Sequence, residues 1–525
     1  MNELHTPRRL SKSRLIDFRQ CEKRLWLQVH RQDLRTDDPD ARMRMAIGNE
    51  VGMLARSLYD PEGVGVLFDA QRDGYAQVFE STRTALTTAR PLFEAGFAVG
   101  TLFAFTDLLL PERSEQGGVR WRLIEVKSAA SVKEYHLEDL AVQVHILDQA
   151  GVPLAGALIA CIDSSWTYPG SSDYRGLLRE NELLVEARRR SPQVRHWADR
   201  AQLIVQQESA PDIKTGQYCH APLPCPFFDH CSRELGPRPS VAAPIKWLPR
   251  VQTNALRARL SHPEVLSMEQ VEDELLNDLQ RRVKTATLTG KPFADSIAAR
   301  GTVTKVQWPL YFLDFESVNL TIPRWGGTRP FEQVPFQYSL HILHQDGHLD
   351  HREFIDLSGK DPRRSLAEQL TSDIAEDGGT VLAYNSAFEI RVMKRLAEGF
   401  EDLSLALMGI IGRTLDLLPL ARDTWYHPDQ RGSWSIKAVL PTIGDRRGSY
   451  GDLQDVADGQ QAIRAYMRAL SVESGGSDRD SIRTALLQYC AQDTYAMVLL
   501  WRHIEFIAAG MRPSSAEDST DEGPQ

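Results

Sequence analysis

Residues 123–127 read Leu123-Ile124-Glu125-Val126-Lys127, an apolar strand that carries one carboxylate and one ammonium. Because side chains alternate along a strand, Glu125 and Lys127 are expected on the same face of a sheet. Asp107 ends the preceding apolar run, and a Gly117-Gly118 turn predicts that the two runs are antiparallel neighbours. Two carboxylates and a lysine on one sheet can bind a hard divalent cation and orient a water molecule towards phosphorus.

A helix is predicted shortly after this strand. From Glu134 to Ala150, apolar residues recur at helical spacing, and Gly151 supplies a stop. Gln143 lies on this helix, and we expect it beside the carboxylates of the hairpin. The simpler interpretation is that the Glu-x-Lys pair forms a solvated stripe on a half-exposed strand, since this motif alone is weak.

Four cysteines frame the same strand. Cys21 lies upstream, whereas Cys219, Cys225 and Cys231 follow downstream as a regularly spaced triplet. The triplet lacks the paired Cys-x2-Cys spacing that is typical of structural zinc. Four thiolates suit an iron–sulfur cluster, with 4Fe–4S as the expected type, and zinc is the second candidate. The third possibility is that the four cysteines are reduced and unrelated to one another. If a cluster is present, it is expected to be structural or redox-sensing.

A second group of acidic residues lies in the C-terminal half. A predicted strand places Asp314 and Glu316 on one face, and Glu389 is expected in the first turn of a helix after another strand. Tyr489 and Asp493, four residues apart, share one face of a later helix. Converging carboxylates repel one another without cations, so the pattern predicts two divalent ions about 4 Å apart, with Tyr489 orienting the attacking water. A surface strand and an ordinary helix hydrogen bond are the simpler interpretations.

Composition limits the class of protein. The net charge of −10 argues against coating of nucleic acid by bulk electrostatics, although the stretch from Arg8 to Arg35 offers a local basic surface. Apolar runs are too short to span a bilayer and the N-terminus lacks a secretory signal, so we expect a cytoplasmic protein with no membrane. Cys161 and Cys490 lie in apolar segments and are predicted to be core residues.

The chain of 525 residues is too long for one core. We predict an α/β protein with two mixed α/β domains. The first, over residues 1–240, contains the four cysteines of the possible cluster. A helical connector follows over 241–304, and the second domain covers 305–512. The acidic stretch over 513–525 is predicted to be a disordered tail.

The first domain resembles the PD-(D/E)xK nucleases of the RecB-like type, which have a restriction-endonuclease-like fold. The opening from Ser11 to Leu25 is similar to the iron–sulfur subgroup found in AddB and in CRISPR-associated exonucleases. The resemblance implies a catalytic set made of Asp107, Glu125, Lys127, Gln143 and Glu94, with a metal on Asp107 and Glu125. Glu50 is a further acidic candidate. The family's Gln-x3-Tyr motif appears here with Leu147 in place of the tyrosine. This departure weakens the expectation that the motif positions DNA, but it does not affect the expected metal site.

The second domain, over about 305–510, resembles the DEDD exonucleases of the ribonuclease H-like fold, in the tyrosine-bearing subclass. The motif order carries this resemblance and implies 3′-to-5′ exonuclease activity with two Mg²⁺ or Mn²⁺ ions. The implied metal ligands are Asp314, Glu316, Glu389 and Asp493, with Tyr489 as a catalytic residue. Glu389 departs from the family, which has aspartate there, and Asp416 is a possible extra acidic residue.

Together the halves resemble a bacterial family of fused predicted nucleases. The expected function is metal-dependent processing of nucleic-acid ends, with DNA favoured over RNA and single strands or ends as substrate. A separate helicase is a possible partner. Arg324, Trp325 and Arg329 could contact a single strand, although core packing or loop chemistry would explain them equally well. The alternative function is a nucleic-acid-binding or redox-sensing adaptor in which one or both metal sites are silent.

Overall fold

The computed structural model describes residues 9–36, 38–113, 117–234, 241–262, 265–444, 456, 458–470 and 476–511. The protein is about 51% helical and 18% strand with mixed sheets, which confirms the predicted α/β class. The chain divides into two compact units. The first contains Met1–Arg238 and Leu320–Phe331, and the second contains Pro239–Asn319 and Glu332–Gln525.

The first unit is built on a seven-stranded sheet. Its strands are β1 (Leu10–Ser11), β2 (Val66–Leu67), β3 (Leu92–Val99), β4 (Leu102–Arg113), β5 (Val119–Lys127), β6 (Leu154–Ile162) and β7 (Leu178–Glu182). Its helices are α1 (Lys12–Gln20), α2 (Glu22–His30), α3 (Pro39–Tyr59), α4 (Ala70–Asp73), α5 (Tyr75–Ala85), α6 (Glu134–Gln149), α7 (Leu184–Arg189), α8 (Ser191–Val205) and α9 (Phe228–Glu234).

The order of this sheet is β2-β3-β4-β5-β6-β7, with β1 paired to β4. Strands β4 and β5 are antiparallel, as the Gly-Gly turn predicts, and β5 and β6 are parallel. The main core lies on the sheet face covered by α1, α2, α5, α6 and α8. Since Leu123 belongs to this core, Glu125 and Lys127 point to the same covered face by alternation.

The segment Leu320–Phe331 returns to the first unit after β9 of the second. The backbone N–H of Tyr168 donates to Thr328 (2.9 Å), and the Tyr174 hydroxyl donates to the carbonyl of Pro323 (3.0 Å). Trp325 is only 6% exposed. The suggestion that Trp325 stacks on a nucleic-acid strand is therefore wrong, and the alternative of core packing holds for this residue.

The second unit contains a five-stranded sheet and a two-stranded one. Its strands are β8 (Phe293–Ala294), β9 (Leu310–Asn319), β10 (Gln333–Leu343), β11 (Leu349–Ile355), β12 (Val381–Ala383), β13 (Thr414–Asp416) and β14 (Trp425–Tyr426). Its helices are α10 (Asn254–Leu260), α11 (Asp278–Thr289), α12 (Ser296–Val303), α13 (Arg363–Asp373), α14 (Ala387–Gly399), α15 (Glu401–Gly412), α16 (Leu417–Thr424), α17 (Ile436–Val439), α18 (Gly459–Ala469) and α19 (Gly476–Ala508).

The order of the larger sheet is β11-β10-β9-β12-β13, so β9 is the central strand. It pairs antiparallel with β10 and parallel with β12. Leu310 and Phe312 face a core shared with α19, whereas Tyr311 and Leu313 face the core of α13, α14 and α15. Alternation therefore directs the even-numbered residues of β9, which include the two predicted metal ligands, towards α19.

Residues 241–304, for which a helical connector is predicted, contribute to the core of the second unit. Within this connector, the charged composition of the stretch from Met268 to Lys284 predicts a helix. The stretch is not one helix, since two short 3₁₀ turns precede α11 at Asp278. The Asn277 side chain accepts from the N–H of Gln280 (2.9 Å), and this cap starts α11 at that point.

In the described part of the chain, no helix is both long and apolar enough to cross a membrane. The predicted tail over 513–525 and the predicted end of the first domain at residue 240 lie outside the described residues.

Candidate functional site

Three carboxylates meet in the second unit. Oxygens from Asp314, Glu316 and Asp493 all lie within 4.8 Å of one another, and this buried acidic cluster could bind a divalent metal ion. The first two side chains share a face of β9 because they are two residues apart. Asp493 comes from α19, which packs on β9 and β10. A strand and a helix that are far apart in sequence thus create the site together.

The charges of this cluster are not neutralised by the protein alone. Burial, followed by the charges of Asp493 and Glu316, raises the pKa of Asp314 well above its ordinary value. Burial and the charge of Asp493 also raise the pKa of Glu316 to about 8, although Lys437 partly offsets this. Carboxyl groups that resist ionisation in this way indicate a site that favours a cation.

Glu389 lies close to this cluster but outside its tightest part. It falls in the first turn of α14, as predicted, and is 3% exposed. Burial and the charge of Asp416 raise its pKa to about 7, and its own charge acts on Asp314 and Glu316. Within the described residues, Glu389 Oε2 is buried without a hydrogen-bond partner. An orphaned carboxylate oxygen suits a cation ligand.

Tyr489 and Lys437 are further polar residues beside the acidic cluster. The Tyr489 hydroxyl donates a hydrogen bond to Asp493, one helical turn away, as the sequence spacing predicts. The Lys437 ammonium lies 5.1 Å from the centre of the Tyr489 ring. Both residues line a cavity of about 660 Å³ together with Asp314 and Asp493. The same cavity is lined by Arg250, Arg422 and Trp434. Lys437 is a site residue that the acidic motifs could not reveal, because it comes from α17, which carries none of these motifs.

Two sequence interpretations change at this site. Asp416 caps α16 by accepting from Leu418 N (3.0 Å) and also accepts from Asn385 N (2.9 Å), so its simpler, structural interpretation holds. Cys490 is fully buried, as predicted, but it is not inert packing. Its Sγ lies 3.6 Å from Asp314 Oδ2, so the thiol belongs to the surroundings of the acidic cluster.

The predicted site of the first unit is also assembled, with Glu125 at its centre. Glu125 Oε1 accepts from Lys127 Nζ (2.6 Å), and Glu125 Oε2 accepts from Gln143 Nε2 (2.6 Å). Lys12 Nζ donates to both oxygens, at 3.1 and 3.2 Å. Burial raises the pKa of Glu125, but the charges of Lys12 and Lys127 more than offset it, so the net pKa is lowered.

Sequence reasoning missed two members of this site, Lys12 and Asp139. Asp139 Oδ2 accepts from Lys127 Nζ (2.7 Å) and lies 3.3 Å from Lys12 Nζ. Asp139 lies one turn before Gln143 on α6, a spacing that could have identified it. Lys12 had no such signal, since its contacts join α1 to residues more than a hundred positions away.

Asp107 and Glu94 lie at the edge of the same site. Asp107 Oδ2 accepts from Val126 N (2.7 Å), and burial together with the charge of Glu125 raises its pKa to about 7. Glu94 has a left-handed backbone (φ 54°) and pairs with Arg56 at 3.4 Å. Such a backbone costs about 1–3 kcal/mol in a non-glycine residue, which is typical of functional sites. Glu50 is exposed on α3.

The first site does not offer open ligands to an ion. Both oxygens of Glu125 already accept hydrogen bonds from ammonium or amide groups. Among the described residues, the ligand atoms of Asp107, Glu125 and Asp139 do not form a group in which all lie within 4.8 Å. A metal on Asp107 and Glu125 therefore remains a prediction, and it would require a rearrangement.

The four framing cysteines line one small cavity. All are free thiols. Among the described residues, no three of their sulfur atoms lie within 4.8 Å of one another. Tetrahedral zinc with four thiolates would place the sulfurs about 3.8 Å apart, given Zn–S bonds of about 2.3 Å. The cysteines thus meet at a common cavity without the tight spacing of a mononuclear site.

Part of the chain matches a known family model. Residues 311–435 match the model of a family described as a domain of unknown function, DUF2779. The match covers the strand with Asp314 and Glu316, the helix turn with Glu389 and the loop that precedes Lys437. No curated protein matches the chain.

Proposed function

We propose that the protein is a divalent-metal-dependent nuclease that processes nucleic-acid ends, with a 3′-to-5′ exonuclease site in the second unit. The observation that supports this most is the buried cluster of Asp314, Glu316 and Asp493, whose oxygens lie within 4.8 Å of one another. DNA is favoured over RNA only because the similar nucleases of the first domain's type act on DNA ends.

The second site has the groups that phosphodiester hydrolysis needs. Divalent ions, when bound, would activate a water molecule and stabilise the leaving oxygen. Asp314, Glu316, Asp493 and Glu389 would hold these ions. Tyr489, held by its hydrogen bond to Asp493, would orient the water. Lys437, which lines the same cavity, would offset negative charge that develops on the phosphate.

We assign the first unit a second phosphodiesterase site of the PD-(D/E)xK type, formed by Asp107, Glu125, Lys127 and Gln143. The cysteines, which line one cavity, would hold an iron–sulfur cluster, and zinc is the second candidate. Cytoplasmic location, single-stranded or end-containing substrates and a separate helicase partner belong to the same proposal.

The second candidate function is an adaptor that binds nucleic acid without cutting it. Two observations favour it: lysines occupy the oxygens of Glu125, and Glu389 lies outside the tight carboxylate group. In this case the folds and the basic surfaces would persist while one or both sites are silent.

Cleavage of end-labelled DNA and RNA tests the proposal. Wild type, purified without oxygen, is incubated with Mg²⁺ or Mn²⁺ beside Asp314→Asn and Lys127→Ala. We expect each substitution to remove a different part of the cleavage, by about 10²–10³-fold, as for removal of one key electrostatic group. Glu353→Gln and Lys133→Ala change the same charges outside both sites and should cleave normally. Binding without cleavage by wild type would support the adaptor instead.

A further inference from the structure

The backbone of Lys12 is fixed beside the first site. Lys12 is the first residue of α1, whose N-terminus is capped by Ser11, and Ser11 pairs with Phe103 on β4. Leu15 and Phe18 bury the inner face of the same helix. The side chain is 15% exposed. A long, mobile lysine side chain is therefore anchored at its base and aimed at the carboxylates.

The ammonium of Lys12 lies where a cation held by both oxygens of the Glu125 carboxylate would bind. Its distances to the two oxygens of Glu125 are nearly equal, 3.1 and 3.2 Å, and it lies 3.3 Å from Asp139. Lys127 instead contacts one oxygen of each carboxylate, at 2.6 and 2.7 Å. Of the two lysines, Lys12 thus takes the symmetric position between the oxygens, with the longer contacts.

The positive charges of the two lysines oppose the binding of a divalent ion at the first site. Asp107, Glu125 and Asp139 are three buried carboxyl groups that share the two ammonium groups of Lys12 and Lys127. Removal of the Lys12 ammonium would leave these three carboxyl groups with one ammonium, and a divalent ion would supply the missing positive charge. Buried charges demand such compensation.

The amide of Gln143 offers a further oxygen atom at the first site. Gln143 is fully buried, and its Nε2 donates to Glu125. Within the described part of the chain, the Oε1 atom of the same amide has no hydrogen-bond partner. An unsatisfied amide oxygen next to a carboxylate is a ligand that a hard divalent cation accepts.

We propose that Lys12 is a tethered counter-ion, which holds the cation position of the first site closed and must leave Glu125 before a divalent ion binds there. This inference rests on the proposed function only in treating the first site as a divalent-ion site. It makes Lys12 a positioning and regulatory residue, since occupancy by its ammonium and occupancy by a divalent ion exclude each other.

Direct binding of Mn²⁺ tests this competition. The full chain carries Asp314→Asn and Asp493→Asn, so that the second site does not contribute, and free Mn²⁺ is measured by electron paramagnetic resonance. Adding Lys12→Met, which keeps an apolar stem of similar length, should tighten Mn²⁺ binding at least about tenfold, because the closed state no longer competes. Lys133→Met, in the same unit, is the matched control and should leave the affinity unchanged.

Thermal unfolding separates competition from a merely structural role. Without metal, Lys12→Met should unfold at lower temperature than its parent, and Mn²⁺ should restore the loss while shifting the parent much less. Lys12→Gln, which keeps hydrogen-bond donors but not the charge, serves if Lys12→Met does not fold. The proposal would be overturned if the Lys12→Met variant and its parent bound Mn²⁺ with equal affinity, or if neither bound Mn²⁺. End-labelled cleavage by the unmodified second site is scored separately, so a failure here does not decide the nuclease function.

Discussion

Asp314 and Glu316 are held beside Asp493 in a buried site, so their ionisation opposes folding when no metal is bound. Burial and the charge of Asp493 raise the pKa of Glu316 from an ordinary 4.5 to about 8. Between these values the folded protein binds more protons than the unfolded chain. This contribution to the free energy of unfolding is therefore present below about pH 4.5 and is lost as the pH rises through about 8.

Asp314→Asn should relieve part of this repulsion. At pH 8 in EDTA, we expect the variant to be more stable than wild type by about 1–3 kcal/mol, and the difference should shrink at pH 5. Urea unfolding gives both values. Mn²⁺ should stabilise wild type and have little effect on the variant, whereas Glu353→Gln, on the exposed side of β11, should behave as wild type. Equal stability of Asp314→Asn and wild type at both pH values would show that the cluster is not strained.

The acidic residues of the second site were predictable because each lies in a short local pattern. Asp314 and Glu316 are two residues apart on a strand, and Tyr489 and Asp493 are four apart on a helix. Lys12 and Lys437 were not predictable as site residues. Their roles depend on contacts between distant segments, which periodicity does not encode.

At the scale of elements, the position of Asp493 depends on how α19 is joined to β10. Thr494, the next residue, is buried and its hydroxyl lies 2.7 Å from Ser339 Oγ and 2.8 Å from His341 Nδ1. Burial lowers the pKa of His341 to about 3. The neutral ring is thus favoured on folding, and its contribution to stability is lost as the pH falls from about 6.5 towards 3.

Thr494→Val should weaken this junction. The substitution keeps the shape of the side chain but leaves buried polar partners without their hydrogen bonds, at a cost of about 1–3 kcal/mol. We also expect slower cleavage at the second site, because α19 carries Tyr489 and Asp493. Urea unfolding and cleavage rates are compared with those of Thr484→Val, an exposed position on the same helix. If both variants lose equal stability, the junction does not hold α19 in place.

Most elements that carry the sites follow from local sequence. The β4–β5 hairpin has its Gly-Gly turn, α6 has helical apolar spacing, and β9 has a continuous apolar run. The stretch from Met268 to Lys284 is different, because the side-chain cap at Asn277 interrupts what composition presents as one helix. Capping geometry decides such boundaries, and hydrophobic periodicity does not reveal it.

At the scale of the whole molecule, the α/β class and the presence of more than one compact unit were predictable from length and from the strand and helix patterns of the two halves. The return of Leu320–Phe331 to the first unit was not. This segment is fixed by contacts with residues far earlier in the chain, such as the Tyr174 hydroxyl on Pro323. A prediction that assigns each domain one continuous stretch of sequence cannot include a segment that returns to the first unit from within the second.

The four cysteines join the beginning of the first unit to its end. Cys21 ends α1, while Cys219, Cys225 and Cys231 lie near α9, and all line one cavity. Helix α1 rises about 13 Å over nine residues, so its other end brings Lys12 to Glu125. A cluster on these thiolates would therefore stabilise the helix that positions Lys12, without taking part in bond cleavage.

Cys225→Ser should remove the proposed iron–sulfur cluster and thereby destabilise α1. We expect protein purified without oxygen to contain iron and sulfide in the wild type, and the variant to lose both together with the visible absorption. Hydrogen exchange should accelerate in α1 and α9, because a shared tie between distant segments stabilises them. Cys161→Ala, at a buried cysteine on β6, should lower stability but retain the iron. Wild type that binds only zinc, or no metal after anaerobic reconstitution, would contradict the iron–sulfur assignment, and unchanged exchange in α1 would contradict its coupling to Lys12.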